Sequence, residues 1–234
     1  MTIRGILFDK DGTLIDVNNT WVPIYRQMLS ELFATDAQGA EALMEKAGFD
    51  RSTAKFKPGS TLAGGTTRQL IEVWWPGLDE AGVAEKVRIL DHDYAHLVKD
   101  ALSPLLPLEP ILLELRAMGL KLGVATNDSQ VSARNHMAHI GVIEHFEDII
   151  AADTVTVPKP SGNMIRRFAE ITGLKPAEIA MVGDNSHDME EARNGGAGLA
   201  IAVLSGNAAH GDIAHLADYT LSSVAELPAL LRSI

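Results

Sequence analysis

Short apolar runs alternate with amphipathic stretches over most of the chain. Gly5-Ile6-Leu7-Phe8 is apolar throughout and stops at Asp9. That is the pattern of a strand covered on both faces, as in a parallel sheet. Leu120 to Ala125, Asp148 to Ala151, Ile179 to Val182, Leu199 to Val203 and Tyr219 to Leu221 read the same way. Between them the apolar period lengthens. Ile111, Leu115 and Met118 recur at i, i+4 and i+7, and Ile165, Phe168 and Ala169 precede Gly173, a helix stop. Strands alternating with helices of this length predict an α/β core, a parallel sheet with right-handed crossovers.

One region breaks the rhythm. From about Asn18 to Ala101 no strand pattern stands out, and 21–33, 40–47, 67–75 and 81–97 carry apolar residues at helical spacing. A loop rich in Gly, Ser, Thr and Lys, from Lys55 to Thr67, interrupts these helices. Pro104, Pro107 and Pro110 then return the chain to strand–helix alternation. The expected organisation is a core of residues 1–15 and 105–234, split by an all-helical module at 16–104.

Composition narrows the partners. Of 234 residues, 46% are hydrophobic and 22% charged, enough for a substantial core. The 20 Lys and Arg against 31 Asp and Glu leave a net charge of −11. This balance argues against a general nucleic-acid or anionic-membrane binder, which needs a basic footprint. It allows an anionic substrate, because a bound cation reverses the local sign. With no cysteine, disulfides, thiolate nucleophiles and iron–sulfur clusters are excluded. The first residues lack a signal-peptide pattern, and the uncharged run from Gly196 to Leu204 falls short of the roughly 20 residues that span a bilayer. A cytoplasmic protein is expected.

In an open parallel sheet, ligands bind at the carboxyl ends of the strands. The first strand ends in Asp9-Lys10-Asp11-Gly12-Thr13 and a later one in Thr126-Asn127-Asp128. Lys159-Pro160 follows the next, and Gly183-Asp184-Asn185-Ser186-His187-Asp188 ends the one after. Together these segments would gather Asp9, Asp11, Asp184 and Asp188 with a hydroxyl and an ammonium. Clustered carboxylates raise one another's pKa values, and a hard divalent cation relieves the repulsion. An oxygen-only donor set suits Mg2+, which pairs naturally with phosphate. A carboxylate can itself attack phosphorus, while Gly12, Thr126, Asn127 and Lys159 are placed to bind the phosphoryl group.

At these residues the chain resembles the haloacid-dehalogenase-like phosphohydrolases, in the branch with a helical cap after the first strand. In layout it is most similar to phosphoglycolate phosphatases. The D-x-D-G-T motif stands as Asp9 to Thr13, the hydroxyl motif as Thr126, the lysine motif as Lys159-Pro160 and G-D-x-x-x-D as Gly183 to Asp188. The resemblance implies a Rossmann-like parallel sheet flanked by helices, with an inserted helical cap. It implies Asp9 as nucleophile and Asp11 as general acid/base, with the Asp11 carbonyl also on Mg2+. Thr126 and Lys159 would bind phosphate, Asp184 would ligate the metal, and Asp188 would help hold it. Relatives often follow the lysine motif with a second proline and an acid, whereas Ser161-Gly162-Asn163 stand here. The implied activity is Mg2+-dependent hydrolysis of a small phosphorylated metabolite, phosphoglycolate-like or a sugar phosphate, through an aspartyl-phosphate. The alternatives are a phosphomutase of the β-phosphoglucomutase type and a non-catalytic binding protein on the same fold.

Other features carry weaker signals. Lys55, Lys57 and Ser60 lie in the polar cap loop and are candidates for substrate specificity. His92 and His96 stand at i, i+4 without a third ligand and read as a satisfied or solvated helix face. His187, inside the last motif, is a candidate contact, and His210 reads as a loop residue. Trp74-Trp75 reads as cap packing, since no basic groove accompanies it.

Overall fold

A computed structural model describes residues 2–33, 36–97 and 101–234. Strand β1 (Gly5–Phe8) leads into an insert holding α1 (Val17–Leu32), α2 (Ala37–Lys46), β2 (Phe49–Asp50), β3 (Lys55–Phe56), α3 (Thr61–Gly64), α4 (Thr67–Trp74) and α5 (Glu80–Leu97). The chain returns through α6 (Leu108–Ala117), β4 (Lys121–Thr126), α7 (Gln130–His139), β5 (Asp148–Ala151) and α8 (Asn163–Thr172). It ends with β6 (Ile179–Gly183), α9 (Ser186–Gly195), β7 (Leu199–Val203), α10 (His210–Ile213), β8 (Tyr219–Leu221) and α11 (Leu227–Ser233).

Six strands form one sheet in the order β5-β4-β1-β6-β7-β8, all neighbours parallel. The chain builds outward on one side of β1 through β4 and β5, then crosses to the other side for β6. This puts a topological switch beside β1, where such sheets open a crevice. Phe8 is level with Val124 of β4 and Val182 of β6, so Asp9, Thr126 and Asp184 emerge from neighbouring strand ends.

Strand periodicity explains the two cores. Ile6, Phe8, Leu122 and Val124 face one layer with Leu112 and Leu115 of α6. Leu7 and Ala125 face the other with Ile165 and Phe168 of α8 and Met189 of α9. Burying one such large apolar side chain stabilises by about 1.5–3 kcal/mol. Burial on both faces is why the strands read as unbroken apolar runs.

The insert has its own apolar cluster, including Trp21, Met28, Met44, Phe49, Phe56, Ile71 and Trp74. It is mainly helical but not all-helical: β2 and β3 pair antiparallel, with Phe49 opposite Phe56. Two residues per strand are too few to show a period in the sequence. Helix α1 begins at Val17 because the Asp16 side chain accepts from the Asn19 amide at 3.0 Å. The insert's two ends lie side by side. The Asp16 amide donates to the Ser103 carbonyl at 2.8 Å, and the Leu105 amide donates to the Leu14 carbonyl at 3.1 Å. Among the described residues no helix is long and apolar enough to cross a membrane.

Candidate active site

The end of β1 carries the first acid into the crevice. The Asp9 amide donates to the Val182 carbonyl at 2.8 Å, which fixes the backbone against β6. Carboxylate oxygens of Asp9, Asp184 and Asp188 then lie within 4.8 Å of one another, all three residues buried. Glycines make room for them. Gly12, at φ +86°, and Gly206 both face Asp184, and a Cβ on either would overlap its carboxylate. Asp184 accepts from the Asn207 amide at 3.2 Å through Oδ2, while its buried Oδ1 has no partner. An orphaned carboxylate oxygen in an oxygen-only cluster fits a hard divalent cation such as Mg2+.

Lys159 closes the cluster from β4's side. Its Nζ donates to Asp9 Oδ1 at 2.5 Å, Asp188 Oδ1 at 2.7 Å and the Ala125 carbonyl at 3.1 Å. Burial opposes its charge, but Asp188 and Asp9 outweigh burial and raise its pKa. Asp9 is pushed up to about 7, by burial first and then by the charge on Asp188, against the pull of Lys159. Burial, Asp9 and Asp188 together push Asp184 well above the carboxylate range. Without a cation, the cluster therefore favours holding protons.

The hydroxyl motif sits alongside. Thr126 is buried at the end of β4, and its Oγ1 accepts from the Asp128 amide at 3.1 Å. The Asn127 side chain is already committed. Its Oδ1 accepts from the Lys159 amide at 3.1 Å, and its Nδ2 donates to the Lys159 carbonyl at 3.3 Å and the Gly64 carbonyl at 2.8 Å. Asn127 thus ties the lysine segment to the insert with its side chain, leaving only its backbone to face a phosphoryl group.

Asp11 stands apart from the three clustered acids. Trp21 of α1 donates its indole N–H to Asp11 Oδ1 at 2.6 Å, and Lys10 pairs with Oδ2 at 2.7 Å. Lys10 is fully buried and also reaches Asp128 Oδ2 at 3.1 Å and His136 Nδ1 at 3.1 Å. Burial would strip its proton, yet Asp11 and Asp128 overcome that and raise its pKa. His136 is pushed down to about 2 by burial and then by Lys10, so the ring is neutral. Its Nδ1 accepts from Lys10, leaving Nε2–H to donate to Ser132 Oγ at 3.2 Å, which donates to Asp128 Oδ2 at 2.8 Å. Sequence reasoning missed this network. The available signals were a lysine between the two motif aspartates and the i, i+4 spacing of Ser132 and His136.

The altered segment after the lysine motif is held by α9. Glu191 is fully buried, and its carboxylate accepts from the amides of Gly162 at 2.5 Å, Met164 at 2.8 Å and Ile165 at 3.2 Å. It caps α8, whose own N-cap, Gly162 at φ +83°, has no side chain to do so. Asn194 donates to the Pro160 carbonyl at 2.7 Å. Asp188, Glu191 and Asn194, three apart on one face of α9, thus clasp the segment from Lys159 to Ile165. Glu191→Ala should leave those buried amides without an acceptor. Thermal unfolding should then show a loss of about 3 kcal/mol, a melting point lower by roughly 6–12 °C.

A cavity of about 70 Å3 opens between this strand edge and the insert. Asp9, Asp11, Thr126, Asn127, Lys159 and Asp188 line its floor, and Trp21, Tyr25 and residues 61–67 its roof, with His187 at the side. The cap loop therefore reaches the site through its second half. Lys55 and Lys57 are exposed and do not line the cavity, and Ser60 is half-buried behind it. Strand alternation is the reason: Phe56 points into the insert's core, so its neighbours point out. His92 is exposed, while the side chain of His96 lies outside the described residues. His210 is exposed and away from the cavity. Trp74 packs edge-on to Trp75 with ring centres 5.9 Å apart, inside the insert.

The family model of haloacid dehalogenase-like hydrolases matches residues 3–196. A phosphoglycolate phosphatase from Chromobacterium violaceum is 29% identical over 234 residues, covering 99% of this chain and 97% of its own. A glyceraldehyde 3-phosphate phosphatase from Methanocaldococcus jannaschii is 26% identical, covering 99% and 98%. Among solved structures, a predicted phosphatase from Clostridium acetobutylicum superimposes with a TM-score of 0.76 at 18% identity, over all of both chains. That last likeness is one of fold. The family match spans the strand edge, the acids and the lysine described above, and the chain belongs to the haloacid dehalogenase-like hydrolases.

Proposed function

We propose that this hydrolase is a Mg2+-dependent phosphatase of a small phosphorylated metabolite, working through an aspartyl-phosphate on Asp9. One observation carries the reading. Asp9 sits at the floor of the cavity, bonded to Lys159 and clustered with Asp184 and Asp188, at the switch point of the sheet. Similarity to enzymes named as phosphatases supports it.

Asp9 would attack phosphorus in line, forming its Oδ–P bond as the bond to the leaving oxygen breaks. Asp11 would give that oxygen its proton, then take one from the water that opens the aspartyl-phosphate and frees Asp9. Trp21 and Lys10 fix where the Asp11 carboxylate stands for both transfers. Lys159, Thr126 and the backbone amides at Gly12 and Asn127 would hold the phosphoryl oxygens. Mg2+ on Asp9, Asp184 and the Asp11 carbonyl, with Asp188 close by, would supply charge neutralisation for the phosphoryl group. Residues 16–104 would act as a cap that closes the cavity over the metabolite.

Phosphatase and mutase differ in the fate of the aspartyl-phosphate, so product analysis tests the reading. With Mg2+ and a phosphate monoester but no sugar-phosphate acceptor, steady release of inorganic phosphate is expected. In 18O-labelled water the released phosphate should carry solvent oxygen. Negligible release from every monoester, with β-glucose 1-phosphate converted to the 6-phosphate, would establish the mutase instead. Neither outcome, at any metal concentration, would leave a binding protein.

A further inference from the structure

We infer that the cavity takes an uncharged, hydroxylated leaving group, a small polyol or sugar alcohol, and selects against one bearing a second anionic group. The inference rests on the phosphatase reading and narrows it.

Charge in the cavity is the first observation. Among the described lining residues Lys159 is the only lysine or arginine. All three of its N–H donors are engaged, by Asp9, Asp188 and the Ala125 carbonyl. If it turns to a substrate, it turns to the phosphoryl group over Asp9. Lys10 lies beneath the cavity, fully buried and spent on Asp11, Asp128 and His136. A carboxylate or second phosphate on the leaving group would therefore meet no lysine or arginine among the described residues of the roof. It would instead approach the carboxylates of Asp11 and Asp128, which line the same space. An anion desolvated without a partner and beside like charges is strongly disfavoured.

The roof offers something else. Thr61, Thr66 and Thr67 line the roof beside Gly64-Gly65, which carries no side chain. The Thr66 hydroxyl accepts from the Gln69 amide at 3.2 Å and keeps its own proton to donate, and the Thr67 hydroxyl donates to Asp91 at 2.8 Å and can still accept. Trp21 and Tyr25 stack with ring centres 5.5 Å apart and present an apolar wall. His187 lines the side, its Nδ1 buried beside Gly64 and without a hydrogen-bond partner. Neutral donors and acceptors facing an aromatic surface match a molecule with hydroxyls on one side and C–H groups on the other. A cavity of about 70 Å3 suits a small leaving group.

Two classes of phosphate compound compared on the Mg2+-loaded wild-type enzyme test this. One class is glycerol 1-phosphate and erythritol 4-phosphate; the other is 2-phosphoglycolate, 3-phosphoglycerate and pyrophosphate. p-Nitrophenyl phosphate serves as the chemical control. The best polyol ester should exceed the best anionic one in kcat/KM by at least about tenfold. Equal or higher kcat/KM for any compound of the anionic class overturns the inference, as does cleavage of the control with no polyol ester cleaved. No phosphate from any compound, the control included, would instead sink the phosphatase reading itself.

Discussion

Asp9→Asn should lower kcat by more than about a thousandfold while leaving the protein folded. The amide has nearly the size of the acid, and it can still accept from Lys159, which approaches Asp9 Oδ1 at 2.5 Å. It cannot attack phosphorus, and it removes one charge from the three clustered acids. The substitution also has a stability signature. In the metal-free protein the Asp9 carboxyl is raised from 3.8 to about 7, so the fold holds its proton more tightly than the unfolded chain does. That contribution is fully present below pH 3.8 and is lost as pH rises through about 7. Asp9→Asn lacks it, so in melts without metal the variant should gain on the wild type as pH rises over this interval. Phosphate release within about tenfold of wild type would remove Asp9 from the nucleophile's role.

Thorough chelation should abolish phosphate release, and Mg2+ should restore it. The three buried acids and the partnerless Asp184 Oδ1 leave a concentration of negative charge that Lys159 alone does not offset. Ca2+ should inhibit, because it accepts more ligands in looser geometry and spoils the placement of Asp9. Binding to the folded state alone stabilises by about 2.7 kcal/mol at a hundred times Kd, so saturating Mg2+ should raise the melting point by roughly 5–10 °C. Full activity after chelation, or in Ca2+ alone, would contradict this arrangement.

Much of this was legible before any coordinates. The apolar runs gave away the sheet because burial on both faces leaves no alternation to confuse with a helix. The four polar strand ends stood out because each followed such a run, and the structure does bring Asp9, Lys159, Asp184 and Asp188 together. What escaped were contacts between residues distant in sequence. Lys10 stands between the two motif aspartates and was assigned nothing, yet it reaches His136 across 126 positions. Glu191 drew no notice in the sequence, yet it caps a different helix, 26 to 29 residues earlier. The polar loop was read at Lys55, Lys57 and Ser60, while the residues that line the cavity are the following ones, 61–67. Charge in a sequence marks what is soluble as often as what binds.

The side-by-side ends of the insert have a consequence for how this chain diversifies. The segment leaving the sheet and the one returning are stitched by the amides of Asp16 and Leu105. Everything between them departs and re-enters at one doorway, and its apolar cluster is built largely from its own residues. An insert whose ends meet can lengthen, shorten or be transplanted with little entropic cost to the scaffold, since loop closure grows only slowly with length. The floor of the cavity and its acids belong to the scaffold; the hydroxyls and aromatic wall belong to the transplantable part. Chimeras joined at this doorway would exchange Trp21, Tyr25 and residues 61–67 while inheriting Asp9, Thr126, Lys159, Asp184 and Asp188 unchanged.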